Sequence, residues 1–101
     1  MDAFDTGTIE LLRRDATASF IGERIRRARL SQGWSHDRLG QEMGISAGRP
    51  VVRQTLIGYE QAKHKPRLRM LQLIAESTGR DVRWFVDPAT DESPFQPREA
   101  A

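Results

Sequence analysis

Residues 21–46, IGERIRRARLSQGWSHDRLGQEMGIS, decide the architecture. Ile21, Ile25 and Ala28 recur at helical spacing, Glu23 lies in the first turn, and arginines at 24, 26, 27 and 29 fill the other faces. This helix starts at Ser19 and should end near Gly33. Ser35 then offers a hydroxyl to cap a second helix, with Asp37 in its first turn and Leu39 and Met43 on one face. Gly44 is placed to close that helix in a left-handed conformation, and Gly40 lies where it would cross the next helix.

Downstream, Pro50 suits the first position of a third helix over about 50–61, because its missing N–H costs nothing there. Val52, Leu56 and Tyr59 then fall on one inward face, while Arg53, Gln54, Ile57 and Gln61 lie on others. Residues 61–66 form a basic loop. A fourth helix runs through Leu68, Leu71, Ile74 and Ala75 to Gly79, and Asp81 caps a short fifth with Val82, Trp84 and Phe85. Upstream, Thr8 is a candidate cap, and Ile9 and Leu12 share a narrow apolar face, so residues 1–18 read as an arm or extra helix that needs a partner to stay ordered. The class is all-α: an arm at 1–18, a five-helix domain at 19–87, and a tail at 88–101 whose prolines and charges predict disorder.

Composition narrows the function classes. The chain has 101 residues, 38% hydrophobic and 30% charged, which is one domain with one core. It has no cysteine, which removes disulfides and thiolate metal sites. No apolar run approaches the roughly 20 residues that span a bilayer, and the acidic N-terminus is unlike a secretory signal, so cytoplasmic residence is expected. The net charge is only +2, but residues 20–69 hold eleven Lys/Arg against four Asp/Glu. A basic middle between acidic ends points to a polyanion partner. Ser35-His36-Asp37 contains the residue types of a hydrolase triad, yet consecutive helical residues point in different directions and cannot form the relay. Two separate histidines without clustered carboxylates leave no metal site, and no cofactor or enzymatic activity is expected.

Residues 21–46, with QTLIGYEQAKHKP at 54–66 and MLQLIAESTG at 70–79, resemble the Cro and phage-repressor (XRE-type) helix-turn-helix family. Leu39-Gly40, Gly44, Tyr59-Glu60, Pro66 and Ala75 match together in order and spacing. The resemblance implies a lambda-repressor-like fold, binding to double-stranded DNA as a transcriptional regulator, most simply a repressor, and a homodimer on a palindromic operator. It also implies an ion pair between Arg29 and Glu60. In such a fold the helix at 50–61 enters the major groove, where Arg answers guanine and Gln answers adenine bidentately. Arg53 and Gln54 are therefore the expected base readers, with Thr55 on a thymine methyl or a phosphate. By resemblance, phosphates are met from Ser35 and His36 and from Lys63, His64 and Lys65, and Arg67 matches a minor-groove position. Trp84, Phe85 and Val86 are candidates for a dimer surface, with core packing the other reading of Trp84.

One departure changes the transfer. About six extra residues, 47–52, separate the two motif helices, and Val52 replaces a serine-like cap. Either the recognition helix gains a turn from Pro50, bringing Arg49 and Val51 to the groove, or the insert is a loop at the DNA surface; Pro50 favours the first. An antitoxin or adaptor of the same fold, acting chiefly through a protein partner, is the alternative function.

Overall fold

Hydroxyl or carboxylate caps start three of the six described elements, and left-handed glycines end two of them. The computed structural model describes residues 6–90: α1 Thr6–Asp15, α2 Ala18–Ser31, α3 His36–Ala47, α4 Arg53–Glu60, α5 Leu68–Thr78 and a closing 3-10 turn, Val82–Phe85. No strand occurs among the described residues. Thr17 accepts the Phe20 N–H at 3.0 Å, Ser35 the Arg38 N–H at 3.1 Å, and Asp81 the Arg83 N–H at 2.9 Å. Each such cap contributes about 0.5–2 kcal/mol. Gly48 and Gly79 end α3 and α5 at φ 90° and 74°, and Gly33 turns the chain between α2 and α3 at φ 75°.

The core gathers one face from every helix. Ile21, Ile25 and Ala28 of α2, Leu39 and Met43 of α3, Leu56 of α4, and Leu71 and Ile74 of α5 are fully buried. α2 packs on α4, and α3 and the 3-10 turn pack on α5. Backbones touch where α2 meets α4: a Cβ on Gly22 would stand 2.3 Å from the Tyr59 carbonyl oxygen, so only glycine fits. The closing turn is part of the core as well. Trp84, Phe85 and Val86 are 2%, 0% and 1% exposed, which corrects their assignment to a dimer surface. Arg24 and Arg80 stack on Trp84 with guanidinium carbons 4.6 and 3.9 Å from the ring centre. Burial, with Arg27 and Arg24 nearby, lowers the Arg80 pKa.

α1 is a helix of this packing, beginning at Thr6, so Thr8 lies inside it and does not cap it. Ile9 is 2% exposed in the core. Arg13 bonds Glu10 at 2.7 Å, which holds the Glu10 carboxyl at about 2, and donates to the Pro66 carbonyl at 3.2 Å. At the other end, Arg24 donates to Thr90, and Asp87 accepts the Ala89 N–H at 2.9 Å. The packed unit therefore runs past the expected boundary at 87. Of the tail expected at 88–101, residues 91–101 lie outside the described residues.

The enlarged turn departs most from expectation. α3 does not stop at Gly44; it continues to Ala47, and Gly48 is its left-handed end. α4 does not begin at Pro50 either; it begins at Arg53, after Val52 in an extended conformation. The cause lies on α3, where Gly40 and Gly44 stand four residues apart on one face. The Val51 N–H donates to the Gly40 carbonyl at 3.1 Å. A Cβ on Gly40 would meet the Val51 oxygen at 2.0 Å, and one on Gly44 would meet the Pro50 nitrogen at 2.8 Å. Residues 49–51 thus lie against α3 over its two glycines. Gly40 accommodates this contact, and it also faces α4 as expected, with Leu56 Cδ1 3.7 Å from where a Cβ would be. Val52, expected inward, is 65% exposed.

Arg29 fastens the motif helices. Its Nε and an Nη donate to the two Glu60 carboxylate oxygens at 2.7 and 3.0 Å, and its other Nη donates to the Trp34 carbonyl at 2.8 Å. The side chains are 9% and 7% exposed, so each charge depends on the other. Arg29→Ala should lower folding stability by about 3–5 kcal/mol in thermal or urea unfolding, because Glu60 would be left buried with only His36 beside it. An unshifted midpoint would refute this. Gly40→Ala should cost roughly 1–3 kcal/mol by forcing the Val51 backbone off α3, with loss of amide-exchange protection at Val51.

Candidate nucleic-acid interface

The polar candidates sit on the two motif helices, the turn between them and the loop after α4. Arg53 is the first residue of α4 and is exposed, with its Nη 3.6 Å from the Asp37 carboxylate near the start of α3. Gln54 beside it is exposed, and Thr55 is half-buried. Arg49 stands exposed in the enlarged turn. Asp37 was not singled out as a partner for Arg53 because the length and path of the insert decide that the two helix starts meet.

Ser35 and His36 open α3. The Ser35 hydroxyl oxygen is occupied as an N-cap acceptor, and His36 Nε2 lies 3.2 Å from the Glu60 carboxylate. Both side chains therefore engage the scaffold, though Ser35 keeps its hydroxyl proton for an outside acceptor. Lys63, His64 and Arg67 are exposed. The loop holding them turns at Ala62, whose φ of 61° is left-handed without glycine, and the Lys63 N–H donates to the Gly58 carbonyl at 2.9 Å.

Lys65 lines a groove between α4 and α5 and is tied to α1. Its ammonium donates to the Arg13 and Arg14 carbonyls at 3.1 and 3.2 Å, at the negative end of α1, so it holds the loop. The missed signal was the pair of helix-ending carbonyls on α1, which no spacing rule connects to residue 65. Arg13 reinforces the join through the Pro66 carbonyl, so α1 braces the basic loop from behind.

Gly58 matters for what it lacks. The His64 imidazole packs over it, 2.5 Å from where a Cβ would be, and meets the Tyr59 ring edge-on with centroids 5.9 Å apart. Burial raises the Tyr59 phenol pKa and keeps it neutral. The later part of α4 is thus covered by its own loop, and polar reach is concentrated at Arg53 and Gln54. Beside them a groove of about 450 Å³ runs between α4 and the start of α5, lined by Thr55, His64, Arg67 and Arg69 among others. Arg69 was not anticipated; it follows from the first turn of α5 facing the same groove.

Nothing in this arrangement forms a hydrolytic relay, since the Ser35 oxygen receives Arg38 and His36 turns to Glu60. Among the described residues no helix is long and apolar enough to cross a membrane. Comparison with curated proteins and with solved structures finds no match. A family model described as helix-turn-helix matches residues 25–85, from within α2 to the end of the closing turn. That span is more than half of the chain and contains both motif helices, so the chain belongs to the Cro/C1-type helix-turn-helix family of DNA-binding transcription regulators.

Proposed function

We propose that the chain binds double-stranded DNA sequence-specifically as a homodimer and acts as a transcriptional repressor, with the start of α4 in the major groove. The observation that carries this reading is the pairing of exposed Arg53 and Gln54 at the first turn of α4 with the exposed cations Lys63 and Arg67, and the exposed His64, after its far end. A guanidinium and an amide at a helix start have the donor and acceptor geometry for guanine and adenine edges. Cations flanking them neutralise phosphates and fix the register. Asp37, 3.6 Å from Arg53, would keep that guanidinium pointed outward and would repel phosphate from its place. With Trp84, Phe85 and Val86 buried, the two-fold contact belongs to another surface.

A genomic-fragment binding selection tests the whole reading, the expected result being a palindrome with half-sites about 10 base pairs apart. On the selected site, Arg53→Ala should cost about 1–3 kcal/mol and relax preference at one base pair. Equal weakening on every sequence would sink the assignment of Arg53. Lys63→Ala should weaken specific and random DNA alike and lower the salt dependence by roughly one ion. Lys65→Ala should instead lower the thermal midpoint, through its bonds to α1, at an unchanged salt slope.

A further inference from the structure

The basic loop after α4 is held at both ends, and the second hold comes from outside the motif helices. At its start, Ala62 turns in a left-handed conformation and the Lys63 N–H donates to the Gly58 carbonyl at 2.9 Å. At its end the contacts belong to α1. The Lys65 ammonium meets the Arg13 and Arg14 carbonyls at 3.1 and 3.2 Å, and one Arg13 Nη donates to the Pro66 carbonyl at 3.2 Å. Lys63 and His64, both exposed, precede this second hold, and exposed Arg67 follows it.

Arg13 is committed to this joint. Its Nε and other Nη donate to the two Glu10 oxygens at 2.8 and 2.7 Å, so every nitrogen of the guanidinium already has an acceptor within the chain, and the side chain is only 18% exposed. α1 has a footing of its own to hold from: Ile9 and Ala16 are buried, and Leu12 packs against the same core. Ten residues are too few for a stable lone helix, so the docking of α1 and the placement of the loop stand together. A loop that carries phosphate-binding cations binds best with its backbone already ordered, because ordering it on the DNA would subtract conformational entropy from the affinity.

We infer that α1 is a positioning element for DNA binding and Arg13 its positioning residue: without touching DNA, Arg13 keeps the loop that carries Lys63, His64 and Arg67 in the conformation that meets the phosphates. The inference rests on the proposed role of that loop, and it gives α1, which lies ahead of both motif helices, a share in the affinity. The coupling is reciprocal, so DNA held by the loop stabilises the docking of α1 in turn.

The test uses the full chain and the DNA site obtained by selection, with binding measured well below the thermal midpoint of each variant. Arg13→Met keeps the aliphatic stem and removes the guanidinium. Arg14→Met, one residue on, removes the same charge from a side chain that is 67% exposed and reaches Glu10 instead of the loop. Arg13→Met should bind at least about fivefold more weakly than Arg14→Met, the lower end of coupling between sites. Glu10→Ala serves where Arg13→Met folds poorly: it frees Arg13 from both carboxylate oxygens while making the chain more positive, so the weaker binding expected has the opposite sign to a charge effect. In a background with Lys63 and Arg67 both changed to Ala, the excess loss of Arg13→Met over Arg14→Met should shrink to within about twofold, because the cations it places are gone. Equal weakening by Arg13→Met and Arg14→Met overturns the inference, as does an excess that persists undiminished in that background. In either case, weaker binding in the Lys63→Ala and Arg67→Ala background leaves the role of the loop standing. Unchanged binding in that background removes both.

Discussion

Everything at the motif surface depends on one buried pair of charges. Arg29 reaches from the last turn of α2, takes both oxygens of Glu60 at the end of α4, and holds the Trp34 carbonyl in the turn to α3. His36, at the start of α3, meets the same carboxylate. Three elements are thereby fixed by two side chains, at the end of α4 opposite to Arg53. A clamp at the inner end of a short helix settles the direction of its outer end. The eight residues of α4 are too few to be a stable helix alone, and packing of Leu56 and Tyr59 with this clamp supplies what helix propensity does not.

α1 and the closing turn hold the surface from other sides. α1 lies before the matched span of 25–85, and it lends its terminal carbonyls to Lys65 and accepts the core through Ile9. The basic loop is therefore fixed at Tyr59–Lys63 by α4 and at Lys65–Pro66 by α1. Arg24 does similar service at the far end, bonding the Trp84 carbonyl and Thr90 while stacking on Phe20 and Trp84. These additions stiffen a motif whose recognition helix is short.

Helix spacing and capping chemistry made most of the scaffold legible. Ile21, Ile25, Leu39, Leu56, Leu71 and Ile74 are where the periodicity puts them, and Ser35 and Asp81 cap as their positions require. Those signals are local, within four residues. The failures concern longer distances. Gly44 has the composition of a helix stop, and Pro50 that of a helix start. Both preferences give way to the backbone contact between the turn and α3, which spans about ten residues and leaves no periodic trace. Trp84 to Val86 had two readings because an apolar triplet at the end of a domain suits a core and an interface equally. The tie between Lys65 and α1 is illegible for a third reason: a cation in a basic loop gives no sign of acceptors on a helix fifty residues earlier.

The seat that Gly40 and Gly44 give the turn has a thermodynamic consequence. An insert of this length, if left loose, would lose about 1–2 kcal/mol of backbone entropy per residue when ordered against a ligand. Here that loss is incurred during folding, when residues 49–51 are laid across Gly40 and Gly44. Arg49 and Val52 consequently enter any complex with their main chain already fixed, and only side-chain rotamers remain to be ordered. Enlarging the turn has lengthened the surface without adding a flexible segment to it.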